Sequence, residues 1–209
     1  MSLSQTVFPS EKETSYDQIR DQVRNGDVLI CSGRGVFSSI IQQATDSIWS
    51  HVGFVLRLPD IDRVMLLESV EPIGVRTIRM SKYLTGYDEK RKKPYKGGVA
   101  IIRHSKFEDL VDKEKLIKLA QYAVEYFGHP YDKDEIVKIS ARIMSAKILF
   151  TAKQWKNIKP DNEFICSEYV ARCYEEIGIK IQWNKLGFIA PSDFADSQYF
   201  DLVGVLKSK

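Results

Sequence analysis

Some segments of this chain are short and β-prone, and others carry apolar residues at helical spacing. The first kind predicts strands and the second predicts helices. Short β-prone segments bounded by turn residues predict strands at 27–31, 51–57, 64–69, 74–80, 98–103 and 200–206. Apolar residues at helical spacing predict helices at 15–25, 36–45, 112–127 and 163–177. This order of elements indicates an α+β fold in which an antiparallel sheet, or a partial barrel, packs against helices.

The chain of 209 residues suits one domain with a full core. Residues 1–14 are mostly polar and are interpreted as an N-terminal extension, and residues 15–209 as a single domain. A helical insertion is predicted near 133–160, where the stretch 136–155 is rich in Ile, Met, Phe and Lys. A helix packed on the core is favoured there over a helix lying on a membrane surface.

Charge and cysteine content exclude several classes of protein. A net charge of +3 with 28% charged residues lacks the long basic stripe of a nucleic-acid-binding protein. The three cysteines have no metal-ligand spacing, so neither a metal nor another cofactor is expected. The first residues lack the basic start and apolar run of a signal peptide, which favours a cytoplasmic location over a trimmed secreted chain.

Cys166 is the leading candidate for a nucleophile. Polar residues 161–163 precede it as a helix cap, so the thiol falls in the first helical turn. Unpaired backbone N–H groups and the helix dipole in that turn lower a thiol pKa from roughly 8.5 towards 7. The alternative is a buried core residue, because Cys166 shares one helical face with Val170 and Cys173. Cys173 itself, in mid-helix, is interpreted as core.

His51 is the candidate general base among three histidines. It begins a predicted strand, a position from which an imidazole can take a thiol proton and return it to a leaving amine. His104 ends another strand and is expected to be exposed, and a ligand role for His129 is the less favoured interpretation.

Glu68 is the candidate for orienting His51. It lies in an apolar strand, where an unpaired carboxylate would be costly. If the hairpin turns at residues 59–62 with an odd-sum register, Glu68 lies opposite or diagonal to His51 on the same face. A slip of one residue would place Ser69 or Glu71 there instead.

The order of these motifs resembles a known family. A Ser50-His51-Val52-Gly53 strand comes first, Gly128-His129-Pro130-Tyr131 follows, and Cys166-Ser167 at a helix start comes last. This order, with the opening Asn25-Gly26-Asp27, resembles the circularly permuted branch of the NlpC-type papain-like cysteine peptidases, the YiiX-like enzymes. The resemblance covers residues 25 to 205 approximately.

The resemblance implies a cysteine-dependent amidase or peptidase that forms a thioester with a peptide or aminoacyl substrate. Cys166, His51 and Glu68 are then catalytic, and Tyr131 and Ser167 bind the oxyanion or substrate. Ordinary NlpC enzymes carry an acidic residue before the cysteine and glycine after Cys-Ser, where this chain has Ile165 and Glu168. Muropeptide specificity is therefore not carried over.

Two other functions stay open. A thiol acyltransferase or lipid hydrolase of the lecithin:retinol acyltransferase type would use the same thioester, and the apolar stretch 136–155 favours it. The third alternative is a shell that binds ligands without turnover. The expected partner is a small peptide or amino-acid amide, with no nucleic acid and with membrane or lipid contact less favoured.

Overall fold

A computed structural model describes residues 3–87, 93–130, 165–182, 188–195 and 198–207. Seven strands lie within these ranges: β1 Glu13–Thr14, β2 Val28–Gly33, β3 His51–Leu58, β4 Arg63–Val70, β5 Gly74–Arg79, β6 Gly97–His104 and β7 Phe200–Leu206. They form one sheet in the order β1-β7-β6-β2-β3-β4-β5. The pairs are antiparallel except for the two-residue pair of β1 with β7.

The helices of the described residues are mostly short. They are α1 Tyr16–Ile19, α2 Val36–Thr45, α3 Met80–Gly86, α4 Phe107–Leu110, α5 Lys113–Glu125, α6 Cys166–Glu175 and α7 Pro191–Phe194. Across these ranges, none of the helices has the length and apolar character needed to cross a bilayer. Helix α6 packs on β3 and β4, which confirms the predicted α+β class. The insertion predicted near 133–160 lies outside the described residues.

The register of the β3–β4 hairpin determines which side chains share a face. Phe54 pairs with Leu67, which is the odd-sum register expected from the sequence. Continued by one residue, this register sets Gly53 opposite Glu68, and a Cβ added at Gly53 would lie 3.1 Å from the Cβ of Glu68. His51 is therefore diagonal to Glu68, and Gly53, opposite Glu68, places no side chain between the two.

Helix α6 is held by its buried face and by two tyrosine hydroxyls. Its buried residues recur at helical spacing and pack against Val52, Phe54 and Leu67 of the sheet. Tyr169 donates a 2.7 Å hydrogen bond to the carbonyl of Ala123, and Tyr174 donates one to the carbonyl of Gly26. Because buried hydroxyls need such partners, these contacts fix the helix relative to α5 and to the turn before β2.

The Asn25-Gly26-Asp27 turn has a structural role in this fold. Asp27 is fully buried and accepts hydrogen bonds of 2.7 and 2.8 Å from the guanidinium of Arg103. The backbone N–H of Arg24 donates a third bond of 2.7 Å to the same carboxylate. A buried carboxylate with this many donors anchors the start of β2.

Residues 3–14, assigned to an extension by their polarity, contact the loop that leads into His51. Trp49 donates from Nε1 to the carbonyl of Ser4 at 2.9 Å, and the backbone N–H of Ile48 donates to Gln5 at 2.8 Å. The Phe8 ring lies 5.9 Å from the Trp49 ring, centroid to centroid. These contacts hold the residues immediately before β3.

The prediction that His104 is exposed is wrong. Its residue is 7% exposed, and its ring packs 5.3 Å from that of Phe200. Strand β7 pairs with β6 and sets Phe200 beside His104, so His104 lies on an inner strand of the sheet and not at its edge. Burial and the charge of Lys106 lower the pKa of His104.

Candidate active site

Cys166 is the first residue of α6. Ile165 precedes it as the N-cap in an extended conformation and supplies no side-chain hydrogen bond to the helix. The backbone N–H groups of Val52 and Ser167 hydrogen-bond the Cys166 sulfur. The thiol therefore uses the Ser167 N–H, a donor of the first helical turn that a capping side chain would otherwise take, together with a donor from β3.

The pKa of the Cys166 thiol is lowered although the residue is only 2% exposed. Burial alone would raise it. The positive charge of His51, a hydrogen bond with the same imidazole and the two backbone N–H groups outweigh that effect. These contacts favour the thiolate form of Cys166 beside a protonated His51.

His51 connects Cys166 to Glu68. The distance from His51 Nε2 to Glu68 Oε2 is 2.7 Å, and the side chains are 13% and 0% exposed, respectively. Burial lowers the pKa of His51, but the charge and hydrogen bond of Cys166 and those of Glu68 raise it to about 10. Because Nε2 is occupied by Glu68, Nδ1 is the ring nitrogen left to exchange a proton with the thiol.

Arg76 is a member of this site that the sequence analysis missed. It pairs with Glu68 across β4 and β5, and its Nε and Nη2 donate to Glu68 Oε1 at 3.0 and 2.8 Å. Its guanidinium also lies 5.3 Å from the centre of the Tyr87 ring. Burial raises the pKa of Glu68, but its contacts with His51 and Arg76 lower it overall, so the carboxylate stays ionised.

Aromatic residues enclose the neighbouring part of the site. Cys31, opposite His51 on β2, lies 3.5 Å from the Tyr83 hydroxyl, measured from sulfur to oxygen. The rings of Tyr83 and Tyr95 stack at 5.0 Å. Burial raises the pKa of Cys31, and it raises that of Tyr87 to about 12. Cys31 and Tyr87 are neutral at physiological pH, and the Tyr87 ring packs against the guanidinium of Arg76.

The other predicted site residues are only partly described. Tyr131 lies outside the described residues, so its role in oxyanion or substrate binding stays a prediction. The two residues that open its motif are placed: Gly128 and His129 exchange 2.9 Å backbone hydrogen bonds with Val75 of β5. The buried hydroxyl of Ser167 donates to the carbonyl of Ile189 at 2.6 Å, so the hydroxyl already has a partner. A substrate-binding role for Ser167 also stays a prediction.

A cleft of about 560 Å³ opens beside this site. Its described lining includes His51, Ser69, Val70 and Tyr87. Within the described ranges, no group of three or more His, Cys, Asp or Glu side chains is placed to hold a metal ion.

We expect Cys166 to be alkylated ahead of Cys31 and Cys173 near neutral pH. Burial raises the pKa of the other two thiols, whereas His51 lowers that of Cys166. Limited iodoacetamide treatment, followed by peptide mass spectrometry, measures the three rates separately. Equal labelling of all three thiols would remove Cys166 as the nucleophile.

Comparison with known proteins places this fold and motif order in a family. The chain resembles the crystal structure of the metalloprotein yiiX from Escherichia coli O157:H7, with a TM-score of 0.58 and 21% sequence identity. The match covers 90% of this chain and 98% of that one, and at this identity it shows a shared fold. No curated protein matches the chain.

A family model describes most of the sequence. It is that of the permuted papain-like amidase enzymes of the YaeF/YiiX, C92 family, and it matches residues 22–199. Both results confirm the resemblance inferred from the order of the histidine and cysteine motifs. The chain belongs to the C92 family of permuted papain-like amidases.

Proposed function

We propose that this protein hydrolyses an amide bond in a peptide or aminoacyl substrate, with Cys166 as nucleophile. The observation that carries this proposal is the chain of contacts from Cys166 through His51 to Glu68, in which the thiol pKa is lowered and the imidazole pKa is raised. An activated thiol paired with an oriented base is the arrangement that covalent acyl transfer needs.

In the first half of the reaction, Sγ of Cys166 attacks the amide carbonyl carbon and a C–S bond forms. The carbonyl oxygen gains negative charge, and the backbone N–H of Cys166 at the helix start is the proposed donor to it. The C–N bond then breaks while His51 transfers the former thiol proton to the nitrogen. The amine leaves, and the acyl group stays on Cys166 as a thioester.

In the second half, water attacks the thioester carbon while His51 accepts one of its protons. A C–O bond forms, the C–S bond breaks, and the carboxylic acid leaves as Cys166 and His51 return to their starting pair. Glu68 holds His51 in place and stabilises the imidazolium, and Arg76 keeps Glu68 ionised and positioned. Arg76 acts through Glu68 and is a positioning residue.

Trapping the acyl-enzyme tests this proposal. Incubation with short peptide amides, followed by acid quench and mass spectrometry, should show an adduct of the peptidyl mass on Cys166 together with free amine. Cys166→Ala is the control and should carry no adduct. A parallel incubation uses phospholipid vesicles.

The phospholipid arm separates the alternatives. An adduct of fatty-acyl mass that forms only with phospholipid would replace the amidase by an acyltransferase or lipid hydrolase. No adduct with either substrate class, from a protein whose Cys166 still alkylates first, would favour a shell that binds without turnover.

A further inference from the structure

The cleft beside His51 carries a concentration of positive charge. Arg34 reaches it from the turn between β2 and α2, and Lys93 and Lys96 reach it from the segment before β6. All three residues are exposed. Among the described lining residues, Glu71 supplies the single carboxylate, and it already has a partner. Across the described parts of the chain, no ion pair joins Arg34, Lys93 or Lys96 to a carboxylate.

The same cleft has an apolar side. Phe37 and Ile41 of α2 contribute to one part of its wall, and Val70 and Tyr87 to another. A cleft with apolar walls and several cations, which form no ion pair with a carboxylate among the described residues, fits a ligand that has a compact apolar part and an anionic group.

The position of the cleft relative to the catalytic pair indicates which part of the substrate it holds. His51 lines the cleft, whereas Cys166 does not and is only 2% exposed. During the reaction the acyl group is bonded to Cys166, and the amine receives its proton from His51. The leaving amine is therefore on the His51 side, where the cleft lies.

We infer that the cleft binds the leaving amine and that this amine carries an anionic group, a carboxylate or a phosphate. The inference rests on the proposed amidase function and adds a substrate class to it. Arg34 offers paired N–H donors to such an oxyanion, and the two lysines add charge from the opposite segment. An amino acid or peptide with a free carboxylate meets this description, as does an amine bearing a phosphate.

A pair of charged and neutral alkylating agents tests the inference without knowledge of the substrate. Iodoacetate carries a carboxylate and iodoacetamide does not, so the ratio of their rates at Cys166 reports the electrostatic field of the cleft. In Arg34→Gln/Lys93→Gln/Lys96→Gln, this ratio should fall by about tenfold at low ionic strength and by less in high salt.

A matched control removes the same charge elsewhere. Lys106, Lys113 and Lys118 are exposed and do not line the cleft, so Lys106→Gln/Lys113→Gln/Lys118→Gln has the same net charge as the cleft variant. The control should keep the wild-type ratio to within about twofold. Equal ratios in the two triple variants would overturn the inference, and circular dichroism establishes that both are folded.

Turnover with matched leaving groups separates this inference from the proposed function. N-acyl derivatives of 4-aminobenzoate and of 4-aminobenzamide differ only in the charge of the amine that leaves, and an aminomethylphosphonate derivative tests a phosphate-like group. The carboxylate or phosphonate substrate should be preferred by about tenfold or more in kcat/KM, and the preference should be lost in the cleft variant. Equal turnover of the charged and neutral substrates would overturn the inference while leaving the amidase function intact. Equal labelling of the three thiols would instead remove the proposed function.

Discussion

Replacing His51 with alanine should slow the alkylation of Cys166 at pH 7 by about tenfold or more. Burial raises the thiol pKa, and the His51 imidazolium is the largest of the influences that lower it. In the wild type, the thiolate persists at pH values below the ordinary pKa of a thiol, and it is lost only as pH falls through the lowered pKa of Cys166. In the variant, the rate should rise only at higher pH, above about 8.5. Iodoacetamide rates measured from pH 5 to 10 give both profiles.

The same substitution should change how stability depends on pH. The pKa of His51 is raised from 6.5 to about 10, so the imidazolium contributes stability that is fully present below 6.5 and is lost as pH rises through about 10. The difference in free energy of unfolding between wild type and His51→Ala should therefore shrink across that interval.

His129→Ala is the control for the His51 substitution. It removes an imidazole that contacts Tyr126 and is not among the groups that shift the pKa of Cys166. Its alkylation profile should match the wild type. A folded His51→Ala protein with an unchanged rate and pH profile would show that His51 has a structural role and that the thiol is activated by other groups.

Replacing Arg76 with methionine should lower the free energy of unfolding at pH 7 by about 3 kcal/mol. The substitution leaves the fully buried carboxylate of Glu68 with His51 but without its two guanidinium hydrogen bonds. Because the pKa of Glu68 is lowered, the ionised carboxylate contributes stability that is fully present above about pH 4.5. This contribution is lost as pH falls through the folded-state pKa of Glu68. The difference between wild type and variant should therefore shrink in acid. Urea denaturation at several pH values measures it.

Two further substitutions show whether Arg76 acts through Glu68. Arg76→Lys keeps the charge but loses the paired donors. Its free energy of unfolding should therefore lie between those of the wild type and Arg76→Met. Arg79→Met, at an exposed arginine on the same strand, should cost about 0.5 kcal/mol or less. In Arg76→Met, Glu68 should also lose its charge at a higher pH than in the wild type. The fall in the Cys166 alkylation rate at low pH should therefore begin at a higher pH. The positioning role of Arg76 would be contradicted if Arg76→Met lost no more stability than Arg79→Met and left the pH profile of Cys166 alkylation unchanged.

The part of the site within one hairpin could be predicted from the sequence. The sequence favours a turn at residues 59–62 with an odd-sum register, which places Glu68 diagonal to His51, and the structure has this register. The sequence alone leaves open a slip of one residue, which would place Ser69 or Glu71 there instead. The predicted position of the thiol in the first turn of a helix is likewise confirmed, because α6 begins at Cys166, although its N-cap is Ile165 and not the polar residue that the sequence favoured. These features depend on local periodicity and turn chemistry, which a single sequence carries.

Features that depend on pairing between distant segments could not be predicted in this way. Arg76 becomes visible only when the β4–β5 register is also fixed, since Glu68 pairs with Arg76 across that second hairpin. Burial of His104 requires β7, which begins almost a hundred residues later. Residues 3–14 join the fold through backbone hydrogen bonds, through the Gln5 side chain and through burial of Leu3 against the core, and their largely polar composition gives no sign of these contacts.

The hydrogen bonds that Gly128 and His129 make with Val75 have a consequence for how copies of this chain meet. Strand β5 is the last strand of the sheet, and an unpaired outer strand is a template for edge-to-edge association. The two residues occupy both the N–H and the carbonyl of Val75, and a Cβ at Gly74 would lie 1.9 Å from the His129 carbonyl oxygen. The residues before Tyr131 thus close part of this border against a foreign strand. At the opposite border, β1 offers only two residues for pairing.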